Sequence, residues 1–366
     1  MKKIRVVLTD DSAMVRSMLR SFLESAPDME VVGEAENGQQ AIDLVRSLSP
    51  DLITMDLEMP VMGGMQAIAQ IMATKAVPIL VVSSVADAQN AYEAVNRGAL
   101  DVLSKPTYSE EAAAEFVAKV RMLAGVPVIS HIIVKQHAAP LARPAATGGL
   151  APGVHASAAL PGALEMAANR RVFAIASSTG GPQALAKILA ALPANFPCPV
   201  VVAQHISDGF AQGMAEWLGK LCRLKLKLAE DGEALQAGVV YISPSEKNAI
   251  ITPLRRFSLL DRPGHDIFHP NCSVLLNSVA DVFGAQSVGI ILTGMSDDGV
   301  SGMLKILHSG GQTLAQDEES SLIFGMNKQA IDAGAVRCVL PLDKIAEKMI
   351  RLAQGGLEQA AGAHER

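Results

Sequence analysis

Short aliphatic runs that each give way to a stretch of helical period recur along this chain, in two series separated by a break. In the first series IRVVLT (4–9), DLITM (51–55) and PILVVS (78–83) end in polar residues or turns. Apolar residues recur at helical spacing near 13–24, 38–48, 64–72 and 87–97, with a final stretch near 110–123. A strand that is aliphatic on both faces must be covered on both faces, and the intervening helices provide that cover. Five strands alternating with five helices predict a doubly wound parallel sheet with right-handed crossovers over residues 1–124.

The break spans 125–168, where HAAPLARPAATGGLAPGVHASAALPG is rich in Ala, Pro and Gly and has no sustained apolar period. A flexible, partly extended linker is expected there, with a segment docked on one domain as the alternative. Alternation resumes with RVFAIA (171–176), CPVVVAQ (198–204) and SVGIILT (287–293), and 224–260 holds several short strand-like runs. A second doubly wound α/β domain with some antiparallel strands is expected over 169–354, then a frayed tail at 355–366. A length of 366 residues suits two domains and a connector.

Hydrophobic residues make up 49% of the chain but aromatic ones only 4%, so Ala, Val, Ile, Leu and Met must build the cores. The net charge of −6 argues against nucleic acid as the main partner. Cys198, Cys222, Cys272 and Cys338 form no CxxC pair, which supports neither a zinc knuckle nor a disulfide framework and fits a reducing cytoplasm. Asp10 and Asp11 interrupt the first apolar run, making it a strand rather than a secretory segment. No run approaches the roughly 18 apolar residues of a membrane span, and a cytoplasmic protein without membrane insertion is expected.

In an open parallel sheet, chemistry gathers beyond the C-terminal ends of the strands. Asp10 and Asp11 end the first strand, Asp56 the third, Ser83 and Ser84 the fourth, and Lys105 the fifth. Each acid alone reads as a helix N-cap or a solvated loop residue. The set, each member at a strand end, reads as a pocket. Clustered carboxylates repel one another and are best tolerated around a hard cation such as Mg²⁺. One carboxylate left as nucleophile can accept a phosphoryl group, with Lys105 and Ser83 stabilising the transferred oxygens.

In the second series RVFAIASSTGGPQALAKIL is a strand, a tight turn and a helix. Gly180 and Gly181 supply permissive backbone, and Pro182 suits the first helical turn. Such a turn aims backbone N–H groups at one point, which serves either a phosphate cradle or a nucleophile with its oxyanion. It lacks GxGxxG and GxxxxGK[ST], and Ala176 replaces the first glycine of GxSxG. VVVAQHISDGF places His205 at the end of the next strand, as a structural residue or a base. VGIILTGMSDDG ends in Asp297 and Asp298 before a helix, as N-caps or as an orienting acid. Together Ser178, His205 and Asp298 fall on one rim of one sheet, as nucleophilic acyl chemistry requires. The order Ser, His, Asp is not that of the α/β-hydrolases. The rival reading is a binding module whose STGG loop holds a phosphate or nucleotide.

DDSAMVR, MDLEMPVMGG and SKP resemble the response-regulator receiver family over about residues 3–123. The resemblance implies phosphorylation at Asp56, metal carboxylates at Asp10, Asp11 and Asp56, and a backbone carbonyl from Glu58. It also implies phosphate contacts from Ser83 and Lys105 and a cis peptide bond before Pro106. The family's switch aromatic, a few positions before the lysine, is Val102 here. SSTGGPQAL, VVAQHISDGF, LTGMSDDGVSGM and QDEESSLIFGM resemble the catalytic domain of the chemotaxis protein-glutamate methylesterases. That implies Ser178 as nucleophile, His205 as base, Asp298 rather than Asp297 as acid, and oxyanion N–H groups from Met295 and the turn at Thr179. It further implies methylated chemoreceptor helices as substrate, glutamine deamidation on the same helices, and a chemotaxis histidine kinase as phosphodonor. Mg²⁺ would serve the receiver, and no cofactor the esterase step. HPNCSVLLNSVA departs from the family's PSVD form and GMN (325–327) from GMP, with consequences expected for substrate docking or the domain interface.

Overall fold

The computed structural model describes residues 2–128, 171–263 and 268–361, with side chains described up to 354. Apart from 125–128, the expected linker lies outside the described residues. The first domain runs β1 (Ile4–Thr9), α1 (Ala13–Glu24), β2 (Met29–Ala35), α2 (Gly38–Leu48), β3 (Leu52–Met55) and α3 (Gly64–Thr74). It continues through β4 (Ile79–Ser83), α4 (Ala88–Asn96), β5 (Asp101–Ser104) and α5 (Glu110–Leu123). Ser12, Asn37 and Ser109 start α1, α2 and α5 by accepting from the N–H groups of Val15, Gln40 and Ala112. The five strands pair in parallel in the order β2-β1-β3-β4-β5. The order reverses at β1, which puts the crevice between the ends of β1 and β3.

The second domain opens with β6 (Val172–Ser177), α6 (Gly181–Ala191), β7 (Val200–Gln204), α7 (Ala211–Leu221), β8 (Lys225–Leu228) and β9 (Val239–Ile242). Then come β10 (Lys247–Ile251), β11 (Phe257–Asp261), α8 (Cys272–Phe283), β12 (Ser287–Ile291) and α9 (Val300–His308). It closes with β13 (Gln312–Gln316), α10 (Met326–Asp332), β14 (Cys338–Leu340) and α11 (Leu342–Ala361). Seven strands form a parallel sheet in the order β14-β13-β12-β6-β7-β9-β8, while β10 and β11 make the expected antiparallel pair. Every residue of β6 is buried, and the order reverses there, between β7 and β12. That strand delivers Ser178.

One apolar cluster runs through both domains, joining Ala88, Tyr92 and Val102 to Phe210, Met214 and Trp217. At the junction α4 lies against α7, and the Tyr92 ring stacks on Trp217 with centroids 5.8 Å apart and planes at 26°. Gly213 permits the approach, since a Cβ there would stand 2.6 Å from the Ala88 carbonyl carbon. Polar contacts flank this patch. Gln183 Nε2 donates to the Ala99 carbonyl at 2.9 Å, and the Ser104 N–H to Ser207 Oγ at 3.3 Å.

The closing helix α11 extends to Ala361, into the segment expected as a frayed tail. One expectation is corrected. The cis peptide bond among the described residues precedes Pro270, not Pro106; an X–Pro bond favours trans by about 0.5–1 kcal/mol. No helix among the described residues is long and apolar enough to cross a membrane.

Candidate functional site

At the carboxyl edge of the first sheet, Asp10 and Asp56 are buried, whereas Asp11 is exposed. Lys105 Nζ lies 2.8 Å from Asp56 Oδ2 and 2.9 Å from Asp10 Oδ2. The Asp56 Oδ1 atom accepts from the Leu57 N–H at 2.8 Å. Burial pushes the Asp56 carboxyl above the usual carboxylate range; Lys105 pulls against it and the Asp10 charge adds to it. Burial alone would lower the Lys105 ammonium, yet its bonds to Asp56 and Asp10 outweigh that and raise it. Asp10, Asp11 and Asp56 each place an oxygen within 4.8 Å of the others, a donor set that fits a hard divalent cation. Ser83 is fully buried at the end of β4, and its hydroxyl has no hydrogen-bond partner. Glu58 is exposed just beyond.

At the second rim, Ser178 follows β6 in a turn that Gly180 closes with φ +78°, a left-handed value open to glycine. Thr293, just past β12, staples this turn twice: its carbonyl accepts from the Ser178 N–H at 3.0 Å and its hydroxyl donates to the Thr179 carbonyl at 2.9 Å. Gln204, the last residue of β7, bridges the turn to the next strand. Its Oε1 accepts from Ser177 Oγ at 2.6 Å, and its Nε2 donates to the carbonyls of Ser178 and His205, both at 2.8 Å. The backbone N–H groups of Thr179 and Met295 have no acceptor among the described residues.

His205 and Asp298 meet directly, with Nε2 2.8 Å from Oδ2. The Asp298 carboxylate also caps α8, accepting from the N–H of Cys272 at 2.6 Å and of Ser273 at 2.8 Å. Burial would raise its pKa, but the bonds from His205 and Ser273 prevail and hold it below the usual range. Asp297 is exposed and away from the histidine, its carbonyl accepting from the Val300 N–H. The His205 ring stacks on Phe268 at 5.2 Å. Its Nδ1 is buried and without a hydrogen-bond partner, and no hydrogen bond joins it to Ser178. Cys272 Sγ lies 3.4 Å from His205 Nε2.

Sequence reasoning missed Gln204, Thr293, Cys272 and Lys119. Lys119 reaches across from α5, its Nζ 2.8 Å from Asp101 Oδ2 and 3.0 Å from Thr179 Oγ1. A signal existed for Gln204: a polar residue closing an all-aliphatic strand directly before His205. For the other three, only the fold reveals the meeting.

Two family models match the sequence of these two domains. The response regulator receiver domain covers residues 6–116, and the CheB methylesterase covers 173–349. The chain is thus a response regulator whose output domain is a methylesterase. The chain is 51% identical over 351 residues (96% of each chain) to protein-glutamate methylesterase/protein-glutamine glutaminase 3 of Paramagnetospirillum magneticum. It is 38% identical over 355 residues (96% of this chain, 97% of the relative) to the corresponding protein 2 of Anaeromyxobacter dehalogenans. Among solved structures, the CheB methylesterase catalytic domain of Thermotoga maritima is 37% identical, covering 50% of this chain and 98% of that one, with a TM-score of 0.48. The chain belongs to the protein-glutamate methylesterase/protein-glutamine glutaminase family, as a chemotaxis-type methylesterase with a receiver domain.

Proposed function

We propose that this protein hydrolyses glutamate methyl esters, and deamidates specific glutamines, on chemoreceptor cytoplasmic helices for chemotactic adaptation, under control of phosphorylation at Asp56. The observation that carries this reading is the His205–Asp298 pair beside the Ser178 turn, with His205 Nδ1 unengaged. Asp298 accepts the Nε2 proton and so leaves the Nδ1 lone pair as the base. As Ser178 Oγ attacks the ester carbonyl carbon, Nδ1 takes the hydroxyl proton. The free N–H groups of Thr179 and Met295 receive the oxyanion. The imidazolium, stabilised by Asp298, returns the proton to the methoxy oxygen, and methanol leaves an acyl-serine. Water, giving its proton to Nδ1, then cleaves the acyl bond to yield glutamate and restore Ser178. A glutamine follows the same path with ammonia as leaving group.

In the receiver, Asp56 takes the phosphoryl group from a chemotaxis histidine kinase. Asp10, Asp11, Asp56 and the Glu58 carbonyl would hold Mg²⁺, which when bound offsets charge on the phosphoryl oxygens. Lys105 and the unpartnered Ser83 hydroxyl contact those oxygens. Both contacts sit close to the domain junction. Two residues past Ser83, Val85 packs on Gly209 so closely that a Cβ there would lie 2.5 Å from it. Ser104, beside Lys105, bonds Ser207. Repacking around a phosphate therefore reaches the loop after His205 without the aromatic that Val102 replaces. Lys119 of the receiver donates to Thr179 Oγ1, a contact that would hold the turn while Asp56 carries no phosphoryl group.

Methanol release from methylated receptor fragments tests the reaction. Release by the parent protein and none by Ser178→Ala with its fold intact is expected. If Ser178→Ala releases methanol like the parent, the serine mechanism fails; phosphate binding with no release from either would favour the cradle.

A further inference from the structure

The mechanism has no step for a thiol, yet Cys272 places one against the catalytic pair. Its Sγ is 3.4 Å from His205 Nε2, and that nitrogen is 2.8 Å from Asp298 Oδ2. One ligand atom from each of His205, Cys272 and Asp298 lies within 4.8 Å of the other two. We propose that these three residues form an inhibitory binding site for a borderline-soft divalent cation, Zn²⁺ in the first place.

The geometry suits tetrahedral coordination. Zn–N and Zn–S bonds of about 2.0–2.1 and 2.3 Å at a tetrahedral angle put N and S about 3.5 Å apart, near the 3.4 Å present. The N and O ligands would stand about 3.3 Å apart, so the His205–Asp298 contact opens by roughly half an ångström. Thiolate and carboxylate together balance the ion's charge with imidazole neutral, which matters because all three groups are nine-tenths or more buried in their side chains. The carboxylate is already oriented by the N–H groups of Cys272 and Ser273, the kind of outer support that metal ligands use. The mixed N, S, O set favours Zn²⁺ or Cd²⁺ over Mg²⁺, which takes oxygen ligands. The three carboxylates of the receiver pocket offer only oxygen, so the two sites sort hard from soft ions. An ion bound here takes His205 and Asp298 out of the reaction.

The test uses the full-length protein and has two arms. Zn²⁺ is titrated against methanol release by the parent and by Cys272→Val. In parallel, Cd²⁺ is titrated while ultraviolet thiolate-to-metal absorption is followed, a readout independent of the catalytic roles proposed above. Inhibition of the parent is expected, at least about 10–100-fold weaker in Cys272→Val, since even an outer partner's loss costs that much. Absorption should saturate at one equivalent of Cd²⁺ together with loss of activity. Equal inhibition of Cys272→Val overturns the proposal. So does inhibition of the parent without thiolate absorption, which decides the matter even if the variant fails to fold.

Discussion

Asp298 and Asp297 are chemically identical neighbours, and what separates them is burial and company. Asp298 accepts from His205 and from two N–H groups at the start of α8, whereas Asp297 faces solvent. Asp298→Asn should reduce turnover by on the order of 10⁴, as loss of the orienting acid does elsewhere, while Asp297→Asn should leave it within about twofold of the parent; single-turnover methanol release compares the two. The lowered pKa of Asp298 has a sign for stability. Its folded value lies below its unfolded one, so its stabilisation is complete above the usual carboxylate range and is lost as pH falls through the lowered value. Asp298→Asn should therefore lose less stability than the parent between neutral pH and acid, measured by denaturant midpoints. That a serine, a histidine and an acid gather at one rim was legible in the sequence, because Ser178 and His205 each directly follow an aliphatic strand. Cys272 was not, because only the packing of α8 on the second sheet brings its thiol to His205.

Strand ends and the turns after them carry nearly all the chemistry, and that is why so much of it could be read from periodicity. Asp10, Asp56, Ser83 and Lys105 follow or close β1, β3, β4 and β5, and Ser178 and His205 directly follow β6 and β7. What periodicity cannot show is how turns are braced. Gln204 ties Ser177, Ser178 and His205 together through one amide. Gln204→Leu should cost about 1–3 kcal/mol by stranding these buried groups, with a fall in kcat larger than any change in KM. The β3–α3 turn holds the opposite case. Val61 is 88% exposed and sits at φ +66°, where a β-branched residue is strained. Left-handed backbone costs roughly 1–2 kcal/mol, and the entropy that glycine adds to the unfolded chain offsets about 0.5–1. Val61→Gly should thus stabilise the receiver by up to about 1 kcal/mol, read from chemical denaturation.

Seen entire, the molecule is two doubly wound sheets joined by an apolar seam where α4 meets α7, with Leu322 and Ile323 packed on the receiver's other apolar cluster. Neither series of strands and helices in the sequence announces that seam, since Tyr92, Gly213 and Trp217 each look like ordinary helix residues. Yet Gly213 sets how close α4 comes to α7. Gly213→Leu should prise the domains apart and raise unphosphorylated methylesterase activity about tenfold, the effect of shifting docking by about 1.4 kcal/mol. Trp217, the single tryptophan of the chain, reports the same event through a red shift of its emission as the Tyr92 ring withdraws. Control of the serine site by the acidic pocket around Asp56 is tested by methanol release from methylated receptor fragments by the full-length protein, with and without a small phosphodonor and Mg²⁺, beside Asp56→Asn. Faster release on phosphodonor addition, lost in Asp56→Asn while basal release persists, is the expected result. Equal rates with and without phosphodonor, or the same stimulation in Asp56→Asn, would contradict it.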